Sequence, residues 1–147
     1  AIAAALDIAS VAVAAEQLGG AEALLEQTVA FLSEREQFGV KIGTFQALQH
    51  RCAQLFCELE LAKSALAGAL FQLDNGAGDI AQLASQAKAL ANDIYLKMSN
   101  EATQLHGGMG VTDEMDIGLY LKRSRVTNQL FGDSRYHCDR FATLGGY

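Results

Sequence analysis

A chain of 147 residues that is 50% hydrophobic and 19% charged has apolar content for one compact core without a disulfide or metal staple, which excludes intrinsic disorder. Its formal net charge of -6, with no basic run to offset it, excludes nucleic acid and anionic membrane surfaces as partners for the chain as a whole, although a local Arg could still hold a small anion. Proline and tryptophan are absent and Ala, Leu, Glu and Gln dominate, which favours long helices over a turn-rich sandwich or barrel.

The first element is read from Ile8, Val11, Ala15, Leu18, Ala21, Leu25, Val29 and Leu32, apolar or small residues in steps of three or four. This spacing predicts one long helix ending near Phe38-Gly39. The opening lacks a basic n-region and carries Asp7, so it fits neither a signal peptide nor a membrane span. Because it already reads as mid-helix, it is expected to be part of something longer. After the loop Val40 to Gly43, Thr44 is the expected N-cap of a second helix, with Phe45, Leu48, Cys52, Leu55, Leu59, Ala62, Leu66, Ala69 and Leu73 on its apolar stripe.

Asn75-Gly76 stops that helix. Asp79 with Gln82 has the spacing of a capping box, and Leu83, Ala87, Leu90, Ile94, Met98, Ala102 and Leu105 carry a third helix to Gly107-Gly108. Thr112, followed by Asp113, Glu114 and Asp116, predicts the start of a fourth helix running to about Phe131. Gly132-Asp133-Ser134 breaks it before a short last helix ending at Leu144. The expected fold is all-α, an up-and-down four-helix bundle with a short extra C-terminal helix, in a single domain over residues 1–147. No second domain, repeat or low-complexity linker is visible.

Cys52, Cys57 and Cys138 are odd in number and lack CxxC spacing, so reduced thiols in the cytoplasm are expected, with Cys52 and Cys57 in the core. His50, His106 and His137 form no HxxxH or ExxH pair, and no metal site is expected. Arg35 and Phe38 place a guanidinium fork and a stacking face at the end of a long helix, a pair suited to a pyrophosphate and a flat ring. The plainer alternative is a surface salt bridge for Arg35 and a core place for Phe38. Gln104-Leu105-His106-Gly107-Gly108-Met109-Gly110 has little side-chain bulk after a helix, so a ligand or another backbone can come close. A double-Gly C-cap would account for Gly107 or Gly108 but leave Gly110 over.

Together Arg35-Glu36-Gln37-Phe38-Gly39, Phe45-Gln46-Ala47-Leu48-Gln49-His50, Gln104 to Thr112, and Leu130-Phe131-Gly132-Asp133-Ser134 resemble the acyl-CoA dehydrogenase family, mapping essentially the whole chain onto its C-terminal domain. The resemblance implies a bundle that packs with an N-terminal helical domain and a β-domain, both absent here. It also implies FAD as cofactor, an acyl-CoA substrate, and homo- or hetero-oligomers built through the bundle. Arg35 and Phe38 would meet the FAD of a neighbouring subunit, with Gln46 supporting the same half of the cofactor. Gln104, Gly107 and Gly108 would also contact it, and Ser134 stands where the family usually has a cofactor-contacting Thr.

The family's chemistry needs a carboxylate to remove the weakly acidic α-proton while the β-hydride passes to the flavin. Its usual Glu position is Gly132 here, and Ala9 stands near the alternative position on the first helix. No catalytic residue is therefore secure. Asp133 is the nearest substitute carboxylate, although N-cap of the last helix is its favoured role. The Leu6-Asp7 pair matches a substrate-side helix, but the Arg expected three residues on is Ser10. The expected function is the FAD-site and oligomerisation domain of an acyl-CoA dehydrogenase, inactive and weak in flavin binding when isolated. The alternatives are a non-catalytic subunit of a heteromeric enzyme, which completes its partner's FAD site, and a stand-alone bundle that binds partners. On the first reading, a Glu placed at Gly132 would restore a base.

Overall fold

The computed structural model describes residues 2–76 and 79–147. Its α-helices are α1 (Ile2–Glu34), α2 (Gln46–Asn75), α3 (Ile80–His106), α4 (Ile117–Gln129) and α5 (Ser134–Leu144). The first four run up and down as the periodicity predicts, and α5 folds back onto α3. Helix α3 lies at the centre, in contact with all the other α-helices.

The core joins Leu18, Leu24 and Leu25 of α1, Leu55 and Leu59 of α2, and Ile94, Tyr95 and Met98 of α3, with Ile117 closing it from α4. A smaller cluster of Val11, Ala69, Ala84 and Ala87 fills the other end, where alanines let the helix axes approach. Helix α1 is long and apolar enough to cross a membrane by length and composition. Here it turns Asp7, Ser10, Gln17 and Thr28 into the bundle along with its leucines. It is a core helix of this bundle.

Several boundaries differ from the expectation. Helix α1 stops at Glu34, and two short antiparallel strands follow, β1 (Glu36–Gln37) and β2 (Val40–Lys41). Phe38 and Gly39 form the tip, both with positive φ (56° and 76°), as a two-residue hairpin turn of the favoured hand requires. Strands of two residues are too short to show an alternating pattern, so sequence periodicity runs straight through them.

Thr44 does not cap α2. The N-cap position is Phe45, without a side-chain bond, while Thr44 Oγ1 donates to Lys41 O at 2.7 Å and closes a 3-10 turn over Ile42–Thr44. Thr112 behaves alike, donating to Met109 O at 2.8 Å after the 3-10 segment Gly107–Val111. Asp113, Glu114 and Asp116 therefore precede α4, which begins at Ile117 and ends at Gln129. Asp79 does accept from the backbone N–H groups of Ala81 and Gln82 at the start of α3. Gly76 caps α2 with φ 62°.

On α1 the buried stripe includes Leu24 and omits Ile8, Ala15 and Val29, which are exposed. Of the two thiols expected in the core, Cys52 is half-buried and Cys57 is exposed. Leu24 is fully enclosed, so Leu24→Ala should lower the unfolding free energy by about 2–5 kcal/mol through lost burial and a cavity. Val29→Ala on the same helix should stay within about 0.5 kcal/mol. Urea titrations of the two variants check the stripe directly.

Candidate functional site

The residues singled out from the sequence separate into two groups. At one end of the bundle, Arg35 directly follows α1. Its carbonyl accepts the Ile42 N–H at 2.9 Å and ties the neck of the hairpin. Among the ion pairs of the described residues none involves Arg35, and its side chain is exposed. The surface salt bridge considered for it does not form. Phe38 is not a core residue either: it is 91% exposed at the hairpin tip, touching Phe45 edge-on with ring centroids 6.2 Å apart. Gln46 opens α2 and is exposed.

The end of α3 reaches the same place. His106, buried, stacks on Phe31 of α1 at 4.4 Å, and its Nδ1 lies 2.8 Å from Ala102 O. That contact sets Gln104, Gly107 and Gly108 beside the end of α1, all three exposed. The glycines then divide by cause. Gly107 is the helix cap with φ 61°, a conformation that favours glycine. Gly110, left over by the capping reading, is required by packing, since a Cβ there would stand 2.7 Å from Thr103 O. Gly108 has neither need, with nothing within 4 Å of an added Cβ. An unpaired guanidinium, an unpacked aromatic ring and a bare backbone edge fit the pyrophosphate and flat ring of a nucleotide-type cofactor.

The second group surrounds the turn before α5. Ser134 Oγ donates to Asp93 Oδ1 at 2.5 Å, and Asp133 accepts the Tyr136 N–H at 2.9 Å as the N-cap of α5. Gln104 lies eleven positions beyond Asp93 on α3, about 16 Å of helix. Ser134 is thus placed apart from Arg35, Phe38, Gln46 and Gln104. Gly132 has φ 116°, and a Cβ there would run into the Tyr136 ring and stand 3.0 Å from His137 Nε2. A Glu cannot simply be set into this position, because Tyr136 already occupies the space.

Beside the turn lies a cavity of about 450 Å³ lined by Asp7, Ser10, Gly132, Tyr136, His137 and Arg140. Asp7 is buried and bound to Arg140 at 2.6 Å, so a guanidinium from α5 neutralises it where the sequence offers Ser10. Ser10 Oγ donates to its own helix at Leu6 O. Burial and the nearby Lys88 charge hold His137 below the ordinary imidazole value. The ring therefore stays neutral, with Nε2 3.1 Å from Phe131 O.

Sequence reasoning missed Arg140, Tyr136 and Lys88, and weighed His137 only as a metal ligand. For Lys88 a signal existed: it sits between Ala87 and Ala89, within the run of α3 that turns inward. Among the described residues no group of three His, Cys, Asp or Glu side chains could hold a metal ion.

Comparison with known proteins follows the same outline. The family model described as "Acyl-CoA dehydrogenase, C-terminal domain" matches residues 1–143. Acyl-CoA dehydrogenase IpdE2 of Mycolicibacterium smegmatis is 39% identical over 129 residues, covering 88% of this chain and 40% of that protein. The structure of butyryl-CoA dehydrogenase from Megasphaera elsdenii superposes with a TM-score of 0.94 at 26% identity, over 99% of this chain and 38% of that one. A variant of the Tcur3481-Tcur3483 steroid ACAD superposes at 0.91 and 35% identity, over 96% of this chain and 39% of that one. The chain thus spans about two fifths of the length of these relatives.

Two outcomes follow from the turn. Gly132→Ala and Gly132→Glu should each lower the unfolding free energy by about 1 kcal/mol or more, since both force a side chain into strained, occupied space. Pairing either with Tyr136→Ala should recover part of the loss in urea titrations. His137 resists protonation when folded, so the unfolded chain takes up that proton first as pH falls below 6.5. Stability should therefore drop as pH falls below about 6.5, and His137→Gln should flatten that drop in thermal melts.

Proposed function

The chain belongs to the acyl-CoA dehydrogenase family as its C-terminal domain, and on that premise we propose that it forms the FAD-site and oligomerisation domain of a flavin-dependent enzyme acting on an acyl-CoA thioester. The observation that carries this is the free end of the bundle. Arg35, Phe38, Gln46, Gln104 and Gly108 gather there, exposed, and Arg35 has no carboxylate partner. A guanidinium left in water stabilises nothing within the fold, and it and the exposed ring at the hairpin tip both suit a ligand. FAD, when bound, supplies the hydride acceptor. This chain's residues would bind and orient it: Arg35 would hold the pyrophosphate, and Phe38, Gln46 and Gln104 would contact the cofactor around it. Gly107 and Gly108 leave room for close approach. Ser134, by its separate position, serves the other side of the assembled site.

Turn chemistry favours a second reading alongside the first. With Tyr136 in the space of a Gly132 Cβ and Asp133 occupied as a helix cap, this chain offers no free carboxylate at the family's base position. A non-catalytic subunit, whose base comes from a partner chain in a heteromeric enzyme, accounts for this. The 35% identity with a steroid ACAD designated by two components supports that reading.

Flavin retention by the intact protein is the test. Arg35→Ala should weaken FAD binding about tenfold or more, the worth of one charge-assisted contact, and Gln104→Ala should weaken it less. Equal flavin content in wild type and Arg35→Ala, measured by absorbance after gel filtration, would overturn the proposal. The isolated chain should lose flavin on the same column and sediment as dimers or tetramers, not as a 15.7 kDa monomer, because its apolar outer faces favour association.

A further inference from the structure

We infer that the Lys88 ammonium is a positioning group that clamps the Gly132 carbonyl and so holds the turn from Phe131 to Ser134 in its left-handed conformation, making the order of that turn depend on the Lys88 proton. Lys88 is fully buried. Its three N–H bonds meet three acceptors on three different segments: Asn92 Oδ1 on α3 at 2.5 Å, Thr127 O on α4 at 3.0 Å and Gly132 O in the turn at 3.3 Å.

None of those acceptors is a carboxylate. From α1, the facing group is Gln17, whose Nε2 donates to Asn92 Oδ1 and Thr127 Oγ1. Asp7 of α1 and Arg140 of α5 neutralise each other. Asp93 of α3 accepts from Ser134, Asp133 of the turn caps α5, and His137 of α5 is held neutral. A buried charge without an ion-pair partner persists only where every donor is satisfied, and here all three are.

The clamped turn is strained. Phe131 and Gly132 are consecutive residues with φ of 59° and 116°. A non-glycine residue in this region is held there by its surroundings, a pattern that gathers at functional sites. Asn92 Nδ2 also donates to Gly132 O at 3.3 Å, and His137 Nε2 bonds Phe131 O. A neutral amine has two N–H bonds and a lone pair. Loss of the proton therefore turns a lone pair towards one of the three oxygens, and the Gly132 contact is the longest. Burial pushes Lys88 down to about 8, which brings that loss within reach of ordinary buffers.

The inference rests on the proposed function only for what the turn serves, the far side of the cofactor and substrate site. Its test needs neither ligand. Hydrogen–deuterium exchange of the intact protein, corrected for the intrinsic pH dependence of exchange, is followed in peptides covering residues 130–138 from about pH 6.5 to 9.5. Protection there should fall several-fold on crossing about pH 8, while peptides from the middle of α3 and from the hairpin at 36–41 keep theirs. Over the same range the unfolded chain binds the Lys88 proton more tightly than the folded chain. Global unfolding hydrates Lys88, so this group by itself makes global stability rise with pH, whereas loosening of the turn alone leaves Lys88 buried against Asn92 and Thr127 and takes an acceptor from the ammonium, so that the charged form opposes it. Local loosening without a parallel fall in the unfolding midpoint separates the clamp from general alkaline unfolding.

Lys88→Arg, which keeps its charge, and Lys88→Met, which has none, should both abolish the pH step; either one that folds suffices. A flat wild-type profile overturns the inference, and so does a step that survives in either variant, which would assign it to another group. A flat profile would leave the flavin reading standing. Failure to bind flavin would leave the exchange result as it is.

Discussion

A helix that packs against every other helix of a bundle turns polar side chains inward, and those need partners inside the protein. On helix α3 this constraint arranges much of the rest of the structure. Its buried polar side chains include Ser85, Lys88, Asn92 and Ser99, and together they fix the neighbouring elements. Ser85 accepts from Arg140 and docks α5. Lys88 and Asn92 reach Thr127, Gln17 and Gly132, joining α4, α1 and the turn. Ser99 pairs with Ser124 at 2.9 Å. Leucines supply the cohesion of the bundle, but they would tolerate a helix rotated or slid by a turn. The polar contacts select one register.

The same constraint produces the contrast between the two ends of the site. Where α3 runs out at His106, that ring stacks on Phe31 of α1, and Gly107 and Gly108 just beyond are exposed. Arg35, Phe38, Gln46 and Gln104 are left free there, positioned by helix ends yet unused by the fold. Around Gly132 the reverse holds. The turn is gripped by α3 and α5 and its small conformational freedom is spent on fitting between them. The first surface is open, whereas the second is a preformed wall.

Much of the fold was open to reading from the chain itself. Periodicity over thirty or so residues of α1, α2 and α3 is strong because every turn repeats the signal, and Gly76, Gly107 and Asp133 end or begin helices by local backbone chemistry that needs no tertiary partner. The family motifs around Arg35, Gln104 and Gly132 were legible too, as short ordered strings. Less legible were features built from one or two residues: the hairpin at Phe38-Gly39, and the 3-10 turns that took Thr44 and Thr112 away from their expected caps.

Spatial convergence was beyond the sequence. The chain specifies that Lys88 lies among alanines and that Asp7 lacks an Arg three residues on. That Lys88 Nζ meets a carbonyl 44 residues away, or that Arg140 crosses from α5 to neutralise Asp7, depends on how five helices pack. Likewise, a missing side chain at Gly132 reads as a vacancy in the sequence but is filled in space by Tyr136. Local patterns determine helices, their caps and their apolar faces, because those depend on neighbours within a few residues. Partners of buried charges, and the use made of an empty position, are settled only when distant segments come together in a low-dielectric interior, where each polar group must be matched or neutralised.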